Sequence, residues 1–479
     1  MLRKLIHAIL GSRKHGSATP RLATGSAEQA AAMFESGRQA LQDGDPEEAK
    51  SLLLLATELA PANGDAWFHL SAAHHAQGNL LDAGICCAHA LEIDSQPQNW
   101  RDSLKNITTD LGAPTELEKW QKLADTHWIA RLALGNTLRR LDHLDGAENE
   151  YRTALERSGG SPFAARRLAC LLAISGRGDE ADQYFLSCAA IGLKPDQVLR
   201  LSSAFFGELA ANAAALQARL PDLQHLPLPT SREIVFLLSC DPAYFRKFAY
   251  AAANSIRNNC KATFAIHFHI VDPDDTIQSD VGRLRTALDL AEVNFTSEAA
   301  PAGEPWAKRT WYASARFARL PEIVRCYQKP VWLFDLDQLV VGDIVRCIAA
   351  APIAPDIALV RWHATRWEPW EFFWASAVYA TPSAQAFLDV AAAYVAHYLN
   401  AGKPVWFLDQ IALFAAYVHT GNNCRMTFLD PAVVCIANPA VPLEPPPAAV
   451  FWSSINSEEK NAASLLHPVF LRYAENSAG

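Results

Sequence analysis

The sequence predicts two architectures in one chain: an all-α array of paired helices in the first half, then an α/β domain with a mostly parallel sheet. Three observations carry this expectation. Small and large residues recur at a fixed offset of 34 positions through the first half. From Ile234 onward, short apolar runs alternate with helical periodicity. One of those runs, Val331 to Phe334, opens directly into Asp335, Leu336 and Asp337.

The repeat is read from particular residues. Gly44, Ala49 and Ala56 return as Gly78, Ala83 and Ala90. Ala147, Tyr151 and Ala154 return as Ala181, Phe185 and Cys188. Small residues mark the places where two antiparallel helices cross closely. Large ones, such as Trp67, Leu70, Trp128, Tyr151 and Leu168, fall on the packing stripe. Gly44, Gly78 and Gly176 supply the turns, and Pro61 ends a unit. Four units fit, at about 30–63, 64–97, 128–161 and 162–197, with 98–126 helical in pattern but out of register. This pattern resembles the tetratricopeptide repeat. That resemblance implies a superhelix whose concave face holds a peptide or protein segment.

Composition bounds the rest. Half of the 479 residues are hydrophobic and 19% are charged, which is material for folded cores. Lys and Arg number 42 against 51 Asp and Glu, a net charge of −9 that argues against a nucleic-acid partner. No stretch of 18 uninterrupted apolar residues occurs, so no membrane span is expected. Ten cysteines without a CxxC pair read as free thiols in a reducing, cytoplasmic compartment. The tail, Met1 to Lys14, is basic with an apolar stripe, and reads either as a frayed basic tail or as a helix in peripheral contact with a membrane surface. The expected organisation is a tail and linker over 1–27, repeats over 28–198, a connection over 199–231 and the α/β domain over 232–479.

In the second half, strands are expected at Ile234 to Leu238, Ala265 to Val271, Val331 to Phe334 and Ile357 to Arg361, with a helix from Tyr244 to Arg257. No GxGxxG, P-loop, HExxH or GxSxG motif occurs, which removes most support for dinucleotide oxidoreductases, P-loop enzymes, zincins and elbow-type hydrolases. Asp335 and Asp337 end a buried strand at positions i and i+2. Two carboxylates between apolar residues need solvent, a partner or a cation. Oxygen ligands suit Mg²⁺ or Mn²⁺, which can bridge to a diphosphate leaving group.

These motifs together resemble the nucleotide-sugar glycosyltransferases of the GT-A fold, and within them glycosyltransferase family 8, over about 234–461. The resemblance implies a Rossmann-like, mostly parallel sheet and a UDP-sugar donor with retention of configuration. It implies a hexosyl- or N-acetylhexosaminyl-transferase. By the same resemblance, Ser239, Cys240, Asp241 and Tyr244 form the nucleoside loop, and Arg316 meets the phosphates. Asp335 and Asp337 hold the metal around Leu336. Asp409 and Gln410 lie on the sugar side as the catalytic pair. Ser376 stands where the family carries an Asn before a strand. Phe451 to Ser454 with Lys460, and His467, match the family's late metal-binding His pattern poorly, so His467 reads as structural. The residues leave other roles open: Asp241 as a helix cap, Arg316 paired with Glu322, and Asp409 as an N-cap. The aromatics from Trp362 to Trp374, including Trp367, read as core or as an acceptor platform. The partner expected for the array is an acceptor protein or peptide, ahead of a glycan or lipid-linked sugar. Homo-oligomerisation, or a repeat scaffold whose transferase domain does not turn over, are the other readings.

Overall fold

The structure, a computed structural model, describes residues 26–189, 198–227, 229–303, 305–351, 353–362, 368–403, 405–436, 445–453 and 467–474. The basic tail, most of its linker, the end of the fourth expected repeat, Trp367 and Lys460 lie outside the described residues. The chain forms two compact units, one ending at Thr137 and one beginning at Leu138. Among the described residues, no helix is long and apolar enough to cross a membrane.

The first unit consists of helical pairs: α1 (Ser26–Gln42) with α2 (Pro46–Leu59), and α3 (Gly64–Ala76) with α4 (Leu80–Ile93). Gly44 and Gly78 turn the chain at φ 80° and 74°, in the left-handed region where a side chain is strained. Asp45 caps α2 by accepting the Glu48 N–H at 3.0 Å, and Asn63 caps α3 through the Ala66 N–H at 3.2 Å. The recurring residues Ala49, Ala56, Ala83 and Ala90 are buried. Leu53, Trp67, Leu70 and Trp100 form the core beside these crossings.

The stretch that is out of register contains α5 (Gln98–Asp110), a 3-10 turn (Pro114–Glu116) and α6 (Leu117–Leu123), of seven residues. Gly112 lies at φ 92°, and a Cβ there would strike the Ala133 carbonyl. With Pro114 just after it, the second helix of this pair starts late and stays short.

α7 (Trp128–Arg140) spans the boundary. The second unit continues with α8 (Leu144–Arg157), α9 (Pro162–Ile174), α10 (Gly178–Ala189) and α11 (Ser203–Gln217). Ala147, Ala154, Ala181 and Cys188 are again fully buried.

The α/β part runs β1 (Ile234–Cys240), α12 (Pro242–Asn259), β2 (Phe264–Val271), α13 (Ile277–Ala287), β3 (Val293–Glu298), α14 (Pro305–Tyr327) and β4 (Val331–Asp335). It continues through β5 (Gln338–Val340), α15 (Ile344–Ala349), β6 (Ile357–Arg361), β7 (Phe373–Ala380), α16 (Gln385–Asn400) and α17 (Leu408–Thr420). It ends with β8 (Met426–Leu429), β9 (Val434–Ile436), β10 (Phe451–Ser453) and α18 (Pro468–Ala474). The main sheet has the order β3-β2-β1-β4-β7-β6-β8 and is parallel except around β7. A small sheet, β5-β10-β9, adjoins it in sequence just after β4. β1, β2 and β4 are covered on both faces, so their continuous apolar runs are what a central parallel strand requires.

Within this second unit the last repeat helices are joined to the α/β part by buried polar contacts. Arg167 on α9 donates to Glu368 at 2.7 Å, with side chains 4% and 9% exposed. The Arg166 guanidinium stacks 4.4 Å over the ring of Trp370. Tyr394 on α16 donates to the Val198 carbonyl at 2.5 Å and accepts the Arg200 N–H at 2.9 Å.

Candidate functional site

The strand order reverses beside β1. The chain steps from β1 to β2 and β3 on one side, then crosses to β4 on the other. In an open α/β sheet such a reversal leaves a crevice beyond the carboxyl ends of the two diverging strands. Ser239 and Asp335 are register partners on β1 and β4 at this edge, so the expected nucleoside loop and the expected metal motif meet there.

Four expected residues converge. Arg316 of α14, 5% exposed, donates to Asp335 and lies 3.8 Å from the Asp409 carboxylate. Arg316 therefore pairs with the motif carboxylate. Asp337 is buried and accepts the hydroxyl of Tyr244 at 2.9 Å. Burial, with Asp337 beside it, pushes the Tyr244 phenol far above its ordinary value, so it remains a donor. Asp409 is 7% exposed and accepts its neighbour's Gln410 N–H at 2.8 Å. Burial raises its pKa to about 6, against the pull of Arg316.

The remaining expected residues take varied positions. Asp241 caps α12, accepting the Tyr244 N–H at 2.7 Å, and so fixes Tyr244 toward Asp337. The Leu336 side chain lies in the core, which leaves only its backbone at the crevice. Cys240 is buried, and burial holds its thiol protonated. Ser376 accepts a bond from Gln338 Nε2 at 2.8 Å. With its side-chain amide turned so that the nitrogen faces them, Gln410 donates to the carbonyls of Phe373 and Trp370, at 2.5 and 3.3 Å, and in that orientation braces the approach to β7. Asp409 lies inside α17, whose N-cap is Phe407 at φ 77°. His467 packs on Trp452 and accepts the Val469 N–H at the start of α18. Trp362 and Trp374 pack edge to face at 4.4 Å.

Sequence reasoning missed a second acidic group. Asp272 directly follows β2, at φ 56°, and accepts the Tyr312 hydroxyl at 2.9 Å, the Lys308 ammonium at 3.4 Å and the Ala300 N–H at 2.8 Å. Its position directly after an apolar strand was the available signal. Burial and Asp272 push the Tyr312 phenol up to about 12. Three buried polar atoms near the reversal have no hydrogen-bond partner: Ser239 Oγ, Arg316 Nε and Gln338 Oε1. Buried polar atoms are normally satisfied, by protein, water or a ligand.

Asp335 and Asp337 offer only oxygen, which suits a hard cation. Among the described residues no group of three His, Cys, Asp or Glu side chains is arranged to hold a metal ion. The two carboxylates, now engaged by Arg316 and Tyr244, could by themselves supply only part of the six or more oxygen ligands of such a cation.

Asp409 gives a pH-dependent test. Its pKa is raised from 3.8 to about 6, so the native state holds this proton longer than the unfolded chain does. The stability this provides is complete below pH 4 and is lost as the pH climbs through 6. At pH 7.5 the buried charge costs at most about 3 kcal/mol. Asp409→Asn should therefore leave the melting temperature of the ligand-free protein unchanged or higher at pH 7.5. It should also flatten its rise between pH 7 and 5. Thermal unfolding across that range reads the difference.

No protein-family model matches the chain, and no curated protein matches it. Among solved structures, the apo form of WbbM, a bifunctional glycosyltransferase, is similar at 14% identity over 53% of this chain and 53% of its own, with a TM-score of 0.37. The glycosyltransferase GlyE of Streptococcus pneumoniae TIGR4 is similar at 15% identity over 51% of this chain and 61% of its own, with a TM-score of 0.33. YrrB, described as a TPR protein with an unusual peptide-binding site, is similar at 17% identity over 34% of this chain and 87% of its own, with a TM-score of 0.19. The chain spans about half the length of WbbM and 61% of GlyE. None of these singles out glycosyltransferase family 8. The fold follows from helix pairing and strand order: a tetratricopeptide-like array followed by an α/β domain of GT-A type.

Proposed function

We propose that the protein is a glycosyltransferase that uses a nucleoside-diphosphate sugar, a UDP-sugar in the first instance, with Mn²⁺ or Mg²⁺. The observation that carries this is the convergence of Asp335, Asp337, Arg316 and Asp409 at the reversal of strand order, beside buried polar atoms without partners. Asp335 and Asp337 would hold the cation, which supplies charge to a departing diphosphate. Arg316 exchanges its pairing with Asp335 for the phosphates and compensates their charge. Asp337, kept in place by Tyr244, stays oriented while Asp335 changes partners. Asp409, buried and close to Arg316, is ionised at neutral pH. It stabilises positive charge growing at the anomeric carbon. Gln410 keeps β7 at a fixed distance from this carboxylate. The motif resemblance implies retention of configuration and a hexosyl or N-acetylhexosaminyl donor.

The acceptor in this reading is a protein or peptide held by the repeats. The first unit carries a groove of about 510 Å³ between α3 and α5, lined by His75, Ser103, Asn106 and Asp110 among others. Polar side chains along a groove of this kind can hold an extended backbone, which would raise the local concentration of a tethered acceptor.

The experiment is Mn²⁺-dependent release of UDP from a panel of UDP-sugars, with the full chain and with a chain starting at Trp128. The shorter chain keeps α7–α10, and with them the buried contacts of Arg166 and Arg167. It should hydrolyse donor at the full rate while transfer to the cognate acceptor collapses. No metal-dependent UDP release from any donor would sink the enzyme reading in favour of a binding scaffold. Undiminished transfer by the shorter chain would sink the recruitment reading alone.

A further inference from the structure

We infer that Gln338, aligned by Ser376, reads a hydroxyl group of the donor sugar. The inference rests on the donor reading above. Gln338 directly follows Asp337 and begins β5, a strand otherwise made of buried apolar residues, Leu339 and Val340. It is fully buried. An apolar side chain would satisfy the core there, and a buried amide carries a desolvation penalty unless both its ends are bonded. Only one end is bonded. Nε2 donates to Ser376 Oγ at 2.8 Å, while Oε1 has no partner.

The position of the pair relates it to the site. Ser376 lies one residue beyond the Phe334–Ala377 register pair of β4 and β7, abreast of Asp335. The carbonyl of the preceding residue, Ala375, accepts Arg316 Nη2 at 3.4 Å. At this point β7 also slips against β6: Leu359 pairs with Val378, but the next residue, Val360, pairs with Trp374. Residues 375–377 are thereby freed from β6, the sort of irregularity that re-aims side chains beside active sites.

The chemistry of the pair selects the group it takes. A serine hydroxyl has one proton to donate and two lone pairs. With one lone pair occupied by Gln338 Nε2, its proton is directed elsewhere. Gln338 Oε1 accepts only. Donor and acceptor side by side match a group that both accepts and donates, as a sugar hydroxyl does. A phosphate oxygen, an acceptor without a proton at neutral pH, would meet Oε1 with repulsion. The pair thus belongs to the sugar end of the donor, away from the diphosphate. It discriminates by leaving a buried carbonyl unbonded when the hydroxyl is missing or inverted.

The test uses the full chain with Gln338→Met, an unbranched side chain of similar length, and Ser376→Ala as a second variant. Mn²⁺-dependent binding is measured for UDP, for UDP-glucose, UDP-galactose and UDP-N-acetylglucosamine, and for deoxy analogues of the tightest of these. Gln338→Met should melt no lower than wild type and bind UDP within about twofold of it. It should bind the preferred UDP-sugar roughly tenfold or more weakly, the worth of one buried hydrogen bond. One deoxy analogue should bind wild type and Gln338→Met equally, which identifies the hydroxyl. Ser376→Ala should shift the same sugar preference and carries the test if Gln338→Met does not fold. Unchanged preference among UDP-sugars in a variant that folds overturns the inference and leaves the donor reading standing. Wild-type protein that binds neither UDP nor any UDP-sugar overturns both.

Discussion

Arg167→Met is expected to destabilise the second unit by about 3–5 kcal/mol, the usual consequence of removing one partner from a buried ion pair. Glu368 is the group left behind. Burial alone would raise its pKa, but Arg167, with Arg166 and Arg139 nearby, outweighs this and holds it at about 2. Its folded pKa is thus depressed from 4.5. The stability linked to it is present above pH 4.5 and disappears as the pH falls toward 2, a difference of about 3 kcal/mol. The loss in Arg167→Met should therefore be large at pH 7 and shrink toward pH 3, as followed by urea unfolding at each pH. Arg167→Met combined with Glu368→Leu should recover much of it, since no charge is stranded. Donor turnover should fall with stability in the single variant. Glu368 leads through Trp370 to Phe373, whose carbonyls are held by Gln410 beside Asp409. A single variant as stable as wild type would show that the contact is loose in solution.

Asp335→Asn and Asp337→Asn are expected to reduce metal-dependent UDP release by about a hundredfold or more, since each removes charge from the place where a leaving diphosphate needs it. Their effects on stability should differ. Asp335 is about a third exposed and shares Arg316 with Asp409, so its loss should cost about 1 kcal/mol or less. Asp337 is buried against the Tyr244 hydroxyl, and an asparagine oxygen can accept the same bond. Both variants should melt near wild type and lose the Mn²⁺ dependence of nucleotide binding. A variant that melts early and still binds nucleotide with Mn²⁺ would make the pair structural.

The repeats were legible because tight helix crossings demand small residues at a fixed offset, and Ala49, Ala83, Ala147 and Ala181 meet that demand directly. The central strands were legible because burial on both faces removes polar interruptions. β3, with the sequence VNFTSE, was not, because it lies at the sheet edge and mixes polar with apolar residues. β7 was not expected as a strand: Phe373 and Trp374 closed an aromatic stretch and Ser376 stood ahead of a strand, since the antiparallel pairing of β7 and its slip against β6 leave no periodic trace. Within the site, Asp335 and Asp337 stood out by local context, and Arg316 only through the resemblance to the glycosyltransferase motifs. The Asp272–Tyr312 bond joins residues 40 positions apart, and the Arg167–Glu368 pair joins residues 201 apart. Nothing local announces either contact. The choice between Glu322 and Asp335 as partner of Arg316 likewise needed the strand order, which brings β4 beside β1.

The buried Arg167–Glu368 contact also bears on how such a chain can change over evolutionary time. In a stacked array each repeat touches mainly its neighbours, so whole units can be duplicated or lost without disturbing the others. Here the hairpin of α9 and α10 is not interchangeable with the rest, because α9 carries the arginines that Glu368 and Trp370 require. Growth and shortening are then confined to the repeats ahead of α7. Lineages descended from a common ancestor could diversify what their arrays hold by adding or deleting 34-residue units there, while the last hairpin is inherited together with the α/β domain as one piece.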